Sequence, residues 1–444
     1  MLRSRPYYLL AIAAASAAPH AYADDAAPDF APQLLGAQYT FVDQRQSALR
    51  APYEGPLSIR TDGDIARSHT FGAYFGVQLP AHLQFYLDLE MFKGEGVSNA
   101  AGLAGLTNGD VVRSGTVDLG KRPYIARRYL CYVLPLGDET GEVARAQDQL
   151  PGREAVHRFE VKLGKMAAND DFDRNRYANS TRTQFMNWSL WNDTAWDFAA
   201  DTRGYTNGAM LAWVDRGWAL RYGVYQMPVE ANGQSLEWPL KRARGEQVEL
   251  TVQPAPGRWA LRLLAFRNIA RMGDYRQALA RGTHDGAPPD IRADDGERRH
   301  KHGFAANLEL PLADDGETGL FARAGWNDGR TESFAFTEVD RTFSVGAQVS
   351  GAHWGRQDDR FSIANAANGL SHPHRDYLAA GGDGFLLGDG RLDYGRERIV
   401  EAYYRMQVMP HVQIGPDLQW IRNPGYNRDR GPVRYAGLRA HLEF

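Results

Sequence analysis

Cysteine is nearly absent from this 444-residue chain, which has only Cys131. A single cysteine cannot form an intrachain disulfide, so a disulfide-built scaffold and a cysteine-rich zinc site are both excluded. Long apolar runs are also missing: beyond the N-terminus, none approaches the roughly 18 residues that a transmembrane helix requires. Mean hydropathy is −0.49. The sequence therefore excludes a helical transporter.

Neither sign of charge dominates: the chain has 51 Lys and Arg residues and 54 Asp and Glu residues, which gives a formal net charge of −3. This balance excludes a nucleic-acid binder that relies on bulk positive charge, and we expect no nucleic-acid partner. Hydrophobic residues make up 43% of the chain, which excludes a disordered protein. The aromatic share of 11% and the 46 glycines favour many short strands and turns.

The N-terminus has the pattern of a secretory signal peptide. Arg3 and Arg5 precede the apolar stretch 7–18, and Ala21-Tyr22-Ala23 is a small-x-small cleavage site. We predict a signal peptide over 1–23, a periplasmic lead over 24–32 and one β-barrel domain over 33–444.

Hydrophobicity after the signal peptide alternates with a period of two. In residues 71–79 the apolar series Phe71, Ala73, Phe75 alternates with Gly72 and Tyr74. Three residues, 80–82, separate this run from a second alternating run at 83–89, which predicts a hairpin with a tight turn. Similar runs recur to the C-terminus.

Alternation alone also fits a soluble β-sandwich, but three features favour a membrane barrel. The runs are about 9 to 11 residues long, as bilayer-crossing strands are. Short turns are predicted at 80–82, 215–217, 254–258, 311–318 and 410–411, and long polar loops at 93–122, 228–245, 268–302 and 368–396. Short periplasmic turns and long extracellular loops are typical of outer-membrane barrels. The chain also ends in an alternating strand with a terminal Phe444, which resembles the signal that outer-membrane barrels present to their assembly machinery.

We count 15 to 17 candidate strands, with 123–134 and 184–200 the weakest. Because bacterial single-chain barrels have even strand numbers, we predict an all-β, antiparallel transmembrane barrel of about 16 strands. Such a barrel is wide enough for an aqueous channel.

Inward-facing positions of the predicted strands carry charges of both signs and aromatic rings. The candidate pore-lining and sugar-binding residues are Arg221, Arg323, Arg405, Arg439, Glu160, Glu309, Glu401, Tyr225 and Tyr403. A lumen with one sign of charge would select ions, whereas a mixture suits a neutral polar solute. For each single residue the alternative is a solvated wall position or a lumenal salt bridge.

Several segments resemble the carbohydrate-selective porins of the OprB type. The resemblance is carried by 169–179, 182–188, 196–206, 271–275, 325–330 and 423–432, which include Asn-Asp-Asp-Phe-Asp-Arg-Asn-Arg-Tyr-Ala-Asn and Gly-Trp-Asn-Asp-Gly-Arg. It covers nearly the whole mature chain. It implies a 16-stranded barrel of the bacterial outer membrane that passes small sugars, by passive diffusion into the periplasm.

Two other functions remain open: a barrel that exports polysaccharide and an outer-membrane barrel enzyme. We expect no enzyme, because no nucleophile elbow, phosphate-cradling glycine loop or metalloprotease histidine pair is present. His300-Lys301-His302 and His372-Pro373-His374 lack carboxylates at a recognisable spacing, so no metal and no cofactor are predicted. The expected partners are small carbohydrates, outer-membrane lipid and lipopolysaccharide, the assembly machinery and, in a homotrimer, copies of the chain.

Overall fold

The computed structural model describes residues 34–111, 122–294 and 296–444. The predicted signal peptide 1–23 and lead 24–32 lie outside the described residues, as do residues 112–121 of the predicted loop 93–122.

The described chain is built mainly from antiparallel strands. The strands are β1 Leu34–Gln46, β2 Asp64–Gln78, β3 Leu83–Gly94, β4 Tyr124–Pro135, β5 Thr140–Val143, β6 Gly152–Ala155, β7 Arg158–Met166, β8 Thr206–Asp215, β9 Trp218–Tyr225, β10 Arg244–Val252, β11 Ala260–Arg271, β12 Arg298–Ala313, β13 Thr318–Asn327, β14 Arg341–Ser350, β15 Arg360–Gly369, β16 Glu397–Met409, β17 Val412–Arg422 and β18 Val433–Glu443. The α-helices are α1 Trp188–Trp191, α2 Tyr275–Asp285 and α3 His372–Ala379. No helix in the described ranges is long and apolar enough to cross a membrane.

Sixteen of the strands form one closed barrel, which confirms the predicted fold class. Each barrel strand pairs with its chain neighbours, β4 pairs with β7, and β18 closes the barrel on β1. β5 and β6 form a separate two-stranded sheet. The backbone of Phe444 extends the closure by exchanging hydrogen bonds with that of Ala37.

The two faces of the barrel wall differ as the alternation predicts. Val345 and Leu220 point outward with 42% and 44% of their surface exposed, whereas Ser344 points inward and is 1% exposed. Successive side chains of a strand lie on opposite faces, so the outer face presents an apolar band to lipid. Tryptophans flank this band and are exposed near strand ends: Trp213, Trp218 and Trp259 at one end, Trp420 at the other.

The strand connections divide by length between the two ends of the barrel. Residues 79–82, 216–217, 253–259, 314–317 and 410–411 connect strands at one end, here called the turn end. The other end is here called the loop end. The strands there are connected by residues 95–123, 226–243, 272–297 and 370–396. The predicted short turns and long loops therefore lie at opposite ends.

Two segments depart from the sequence-based expectation. Residues 136–157, which connect β4 to β7 at the turn end, are not a short turn but carry β5 and β6; we call them the turn-side hairpin. Residues 184–200 form no strand and belong to the connection 167–205 between β7 and β8. Of the two weakest strand candidates, only 123–134 corresponds to a strand, β4.

Candidate functional site

The connection 167–205 folds into the barrel and packs against the wall; we call it the inner loop. Its aromatic residues Phe172, Phe185 and Trp196 are almost fully buried. Phe185 lies edge-on against Tyr403 of β16, with ring centroids 5.0 Å apart. Edge-to-face packing of this kind stabilises the contact beyond simple area burial.

Arg323 of β13 anchors the inner loop through its whole guanidinium group. Nε donates to Asp173 Oδ1 at 3.0 Å, and the terminal nitrogens donate to the carbonyls of Ala178 at 2.7 Å and Leu190 at 3.1 Å. The Arg323 side chain is 0% exposed. A buried charge is stable only when it is paired and fully hydrogen-bonded, and the inner loop supplies every partner.

Carboxylates of other wall strands accept hydrogen bonds from backbone N–H groups of the inner loop. Glu401 of β16 accepts from Met186 at 2.6 Å and from Asn187 at 2.9 Å. Glu309 of β12 accepts from the backbone of Arg176 at 3.0 Å. These hydrogen bonds satisfy N–H groups that a loop without a strand ladder would leave unpaired.

The nine sequence-predicted site residues fall into three groups. Five of them hold the inner loop by direct contact: Arg323, Arg439, Glu309, Glu401 and Tyr403. Arg439 does so by donating to the carbonyls of Thr181 and Gln184. Only Glu160 and Arg221 line the main cavity.

The remaining two lie elsewhere on the wall. Tyr225, at the loop end of β9, is fully buried in the same hydrophobic cluster as Phe172. Arg405 lies toward the turn end of β16, opposite Arg360 in register, and does not reach the cavity.

The main cavity has a volume of about 630 Å³ and lies between the inner loop and the wall formed by β2–β4 and β7. Its lining extends from Phe385 and Leu386, in the loop-end segment 370–396, to residues 146–149 of the turn-side hairpin. The inner loop therefore fills one side of the barrel and leaves the open space on the other.

Arg127 of β4 joins three elements around this cavity. Its guanidinium lies 3.0 Å from Asp88 of β3, 2.7 Å from Asp170 of the inner loop and 3.3 Å from Asp148 of the turn-side hairpin. Because the turn-side hairpin reaches this arginine, it narrows the cavity from the end opposite to the long loops.

Arg182 forms a second junction on the inner loop. It contacts Asp110 at 2.7 Å and Glu90 of β3 at 2.8 Å. Glu90 also accepts a hydrogen bond from the Tyr205 hydroxyl at 2.6 Å. These contacts fix the free edge of the inner loop to the wall across the cavity.

Among the described residues, acidic and basic side chains line the cavity in equal numbers. Seven are acidic and seven basic: Glu90, Asp110, Asp148, Glu154, Glu160, Asp170 and Asp171 against Arg127, Arg158, Lys162, Arg174, Arg182, Arg203 and Arg221. Most of them form ion pairs, for example Lys162 with Asp171 at 2.6 Å and Arg158 with Glu160 at 2.5 Å. The described part of the lining is thus rich in hydrogen-bonding groups, and its formal charges sum to zero.

Aromatic rings cluster at the loop-end mouth of the cavity. Trp188 stacks on Phe336 with centroids 4.7 Å apart, Trp191 lies edge-on to Trp188 at 4.9 Å, and Phe198 lies 5.2 Å from Phe336. All four line the cavity. A solute that enters from the loop end meets these rings before the charged section.

The mouth is held by a buried histidine on α3. His374 is 0% exposed; its Nε2 lies 3.3 Å from Glu338 and its Nδ1 3.1 Å from Asp340. Burial lowers its pKa, but the two carboxylates prevail and raise the pKa of His374 to about 9. Glu338 also accepts from the backbone N–H of Leu386 at 2.6 Å. The protonated histidine therefore clamps together the two segments that carry Phe336 and Leu386.

The family of this chain is decided by its sequence match. The OprB family model, described as carbohydrate-selective porin, matches residues 82–444. The chain belongs to the OprB family.

Individual relatives of this OprB-family chain are distant. The protein QuiX of Acinetobacter baylyi is 22% identical over 321 residues, 64% of this chain and 65% of that protein. The structure of Pseudomonas putida OprB has a TM-score of 0.67 at 16% identity and covers 93% of this chain and 94% of that one. An anion-selective porin from Comamonas acidovorans has a TM-score of 0.50 at 9% identity, covering 93% and 99%. The structural matches show the porin fold, and with the family they place this protein in the bacterial outer membrane.

Sequence reasoning missed most of the cavity lining of this OprB-family protein. Arg127, Arg182 and Asp170 were not singled out as site residues, although 169–179 and 182–188 carry the family resemblance. That resemblance was the available signal for the inner loop. The carboxylates of His374 lie 34 and 36 residues away in the chain, so no local motif reveals them. Within the described residues, no group of three or more His, Cys, Asp or Glu side chains is arranged to hold a metal ion.

Proposed function

We propose that this protein is an outer-membrane channel for passive, carbohydrate-selective diffusion of small sugars into the periplasm. The observation that carries the proposal is the charge-balanced cavity lining. Fixed charges of one sign would favour counter-ions, whereas paired charges offer donors and acceptors to hydroxyl groups without a strong net field.

Size and shape support the same class of solute. A cavity of about 630 Å³ is within the range of about 300–1,000 Å³ that accommodates small organic ligands. The rings of Trp188 and Phe336 at the mouth offer flat apolar faces on which the CH faces of a sugar ring can stack. Stacking at the mouth followed by hydrogen bonding in the charged section would favour sugars over ions and over apolar solutes.

Proteoliposome swelling with three solutes of similar size tests the proposal. We expect neutral glucose to enter faster than anionic gluconate and cationic glucosamine. Faster entry of gluconate would contradict a neutral-solute channel and favour an anion pore. Entry of a long dextran at the rate of glucose would favour a polysaccharide-export barrel instead.

Arg221 gives a sharper test of the lining. It lines the cavity, and its Nη1 donates to Thr251 Oγ1 at 3.2 Å. Within the described residues it has no carboxylate partner at ion-pair distance, so Arg221→Gln should shift the ion preference toward cations and weaken sugar block of single-channel current. Arg258→Gln, at an exposed position in the turn 253–259, is the matched control and should change neither. Equal effects of both substitutions would contradict a role of Arg221 in the pore.

Phe336 tests the contribution of the mouth. Phe336→Ala should reduce sugar block while leaving the ion preference unchanged, because it removes a stacking surface and no charge. Unchanged sugar block would show that the mouth aromatics do not bind the solute.

A further inference from the structure

A second cavity, of about 250 Å³, lies outside the pore, at the loop end of β16 and β17. Its side-chain lining includes four arginines: Arg396, Arg398, Arg422 and Arg428. All four are exposed. We call them the outer arginine cluster.

The position of this cluster relative to the membrane follows from the strand register. Arg398 and Arg422 are direct partners across β16 and β17, and the next outward-facing pair toward the turn end is Val400 with Trp420. Exposed tryptophans of this kind mark the membrane–water interface. Two residues along a strand span roughly 7 Å. Arg398 and Arg422 therefore lie roughly 7 Å beyond Trp420 along the strands, at the level of the lipid headgroups.

The positive charge of the cluster is not compensated by the protein. Within the described ranges, none of the four arginines has a carboxylate within 4.0 Å. Glu397 stands between Arg396 and Arg398 in the chain, but it points inward and accepts from the backbone N–H of Gly425 at 2.8 Å. Four guanidinium groups in one cavity repel each other unless an anion is bound between them.

One other pair of outward-facing arginines at the loop end lies beside a carboxylate and serves as a comparison. Arg67 and Arg45 flank Asp43, at 2.6 Å and 3.5 Å. Asp43 offsets part of the positive charge on β1 and β2. The outer arginine cluster forms a concave site and has no such carboxylate among the described residues.

We propose that the outer arginine cluster binds the phosphate groups of an outer-leaflet glycolipid, the lipid A portion of lipopolysaccharide. Guanidinium groups bind phosphate oxygens in a bidentate manner, and four of them match a headgroup that carries more than one phosphate. The apolar outer face below, with Leu418 and Trp420, would contact the acyl chains. The choice of the outer leaflet rests on the proposed orientation, with the loop end outside the cell.

Native mass spectrometry of the full-length protein in detergent tests the proposal without requiring transport. The probes are bis-phosphorylated lipid A, fully dephosphorylated lipid A and inorganic phosphate. We expect retention of bis-phosphorylated lipid A only, and at least about a tenfold loss of retention in the double variant Arg398→Gln/Arg422→Gln, since two charge-assisted bonds are removed. Arg45→Gln/Arg67→Gln is the matched control and should retain the lipid.

Three results would overturn the proposal. Equal retention of dephosphorylated lipid A would show that the acyl chains alone bind. Unchanged retention in the Arg398→Gln/Arg422→Gln variant would place the lipid elsewhere. Displacement of lipid A by millimolar inorganic phosphate would make the cluster a free-phosphate site. The double variant should keep wild-type sugar-dependent conductance, which shows that it is folded and separates this test from that of the pore.

Discussion

Replacing Arg323 by Met should release the inner loop while leaving the barrel closed. Arg323 is 0% exposed, and its partner Asp173 is 2% exposed. Its guanidinium donates to Asp173 and to the carbonyls of Ala178 and Leu190, so one side chain holds three points of the loop. Methionine fills a similar volume but provides no donor.

The expected loss follows from the burial of this pair. Removing one partner of a buried ion pair costs about 3–5 kcal/mol, because the other charge stays buried without compensation. Asn307 still donates to Asp173 at 2.5 Å, so the carboxylate keeps one side-chain partner. Each 1.4 kcal/mol is a factor of ten in an equilibrium constant, so the open form of the loop should gain roughly 100-fold or more in population.

Single-channel recording in planar bilayers measures this directly. Arg323→Met should raise the mean conductance, increase current noise and weaken sugar block. Arg323→Met/Asp173→Asn should restore part of the wild-type current, since it removes the uncompensated charge. Arg405→Met is the matched control, because Arg405 also faces inward but, among the described residues, forms no hydrogen bond or ion pair with the inner loop and does not line the cavity. Wild-type current in Arg323→Met, or an equal change in Arg405→Met, would refute the anchoring role.

Three further predictions concern the mouth, the lipid face and the orientation. The raised pKa of His374 stabilises the mouth fully below pH about 6.5, and this stabilisation, about 3 kcal/mol, is lost as pH rises through about 9. Hydrogen exchange of α3, corrected for its intrinsic rate, should therefore accelerate between pH 7 and 10 in the wild type but not in His374→Gln; equal acceleration in both would contradict the clamp. Val345→Arg should cost about 2–4 kcal/mol of barrel stability because the charge enters lipid, whereas Val345→Leu should fold normally in a heat-modifiability gel; equal folding of both would contradict the face assignment. A tag at Gly286 should be labelled on intact cells and one at Gly257 should not, both positions being open; the reverse labelling would invert the orientation.

The barrel could be predicted from sequence because its signal is local. Apart from its last residue, the alternating run 71–79 lies in β2, and the run 83–89 lies in β3. Residues 80–82 between them belong to the turn that connects these two strands. Each strand has one face in lipid, so every second position must be apolar whatever its partner strand is. The same rule predicts that Leu220 lies on the lipid-facing side of the barrel wall and Arg221 on the inner side.

The site could not be predicted to the same extent because its contacts join distant parts of the chain. Asp173 and Arg323 are 150 residues apart. The alternation of apolar and polar residues predicts that Arg323 faces the barrel interior. It does not reveal that a loop covers this side chain. The turn-side hairpin was missed for a related reason: β5 and β6 have only four residues each, too few for a clear alternation.

The division of the wall into two functions has a physical origin. A loop that folds into a barrel carries backbone N–H and C=O groups that no neighbouring strand can pair. The wall must therefore provide charged side chains where the loop is seated, and Arg323, Glu309 and Glu401 meet that requirement. Because their hydrogen-bonding capacity is directed to the loop, we expect a solute to interact instead with the opposite wall and with the free edge of the loop. We therefore expect selectivity to depend on residues such as Arg127 and Arg182, whose paired charges remain in contact with the cavity.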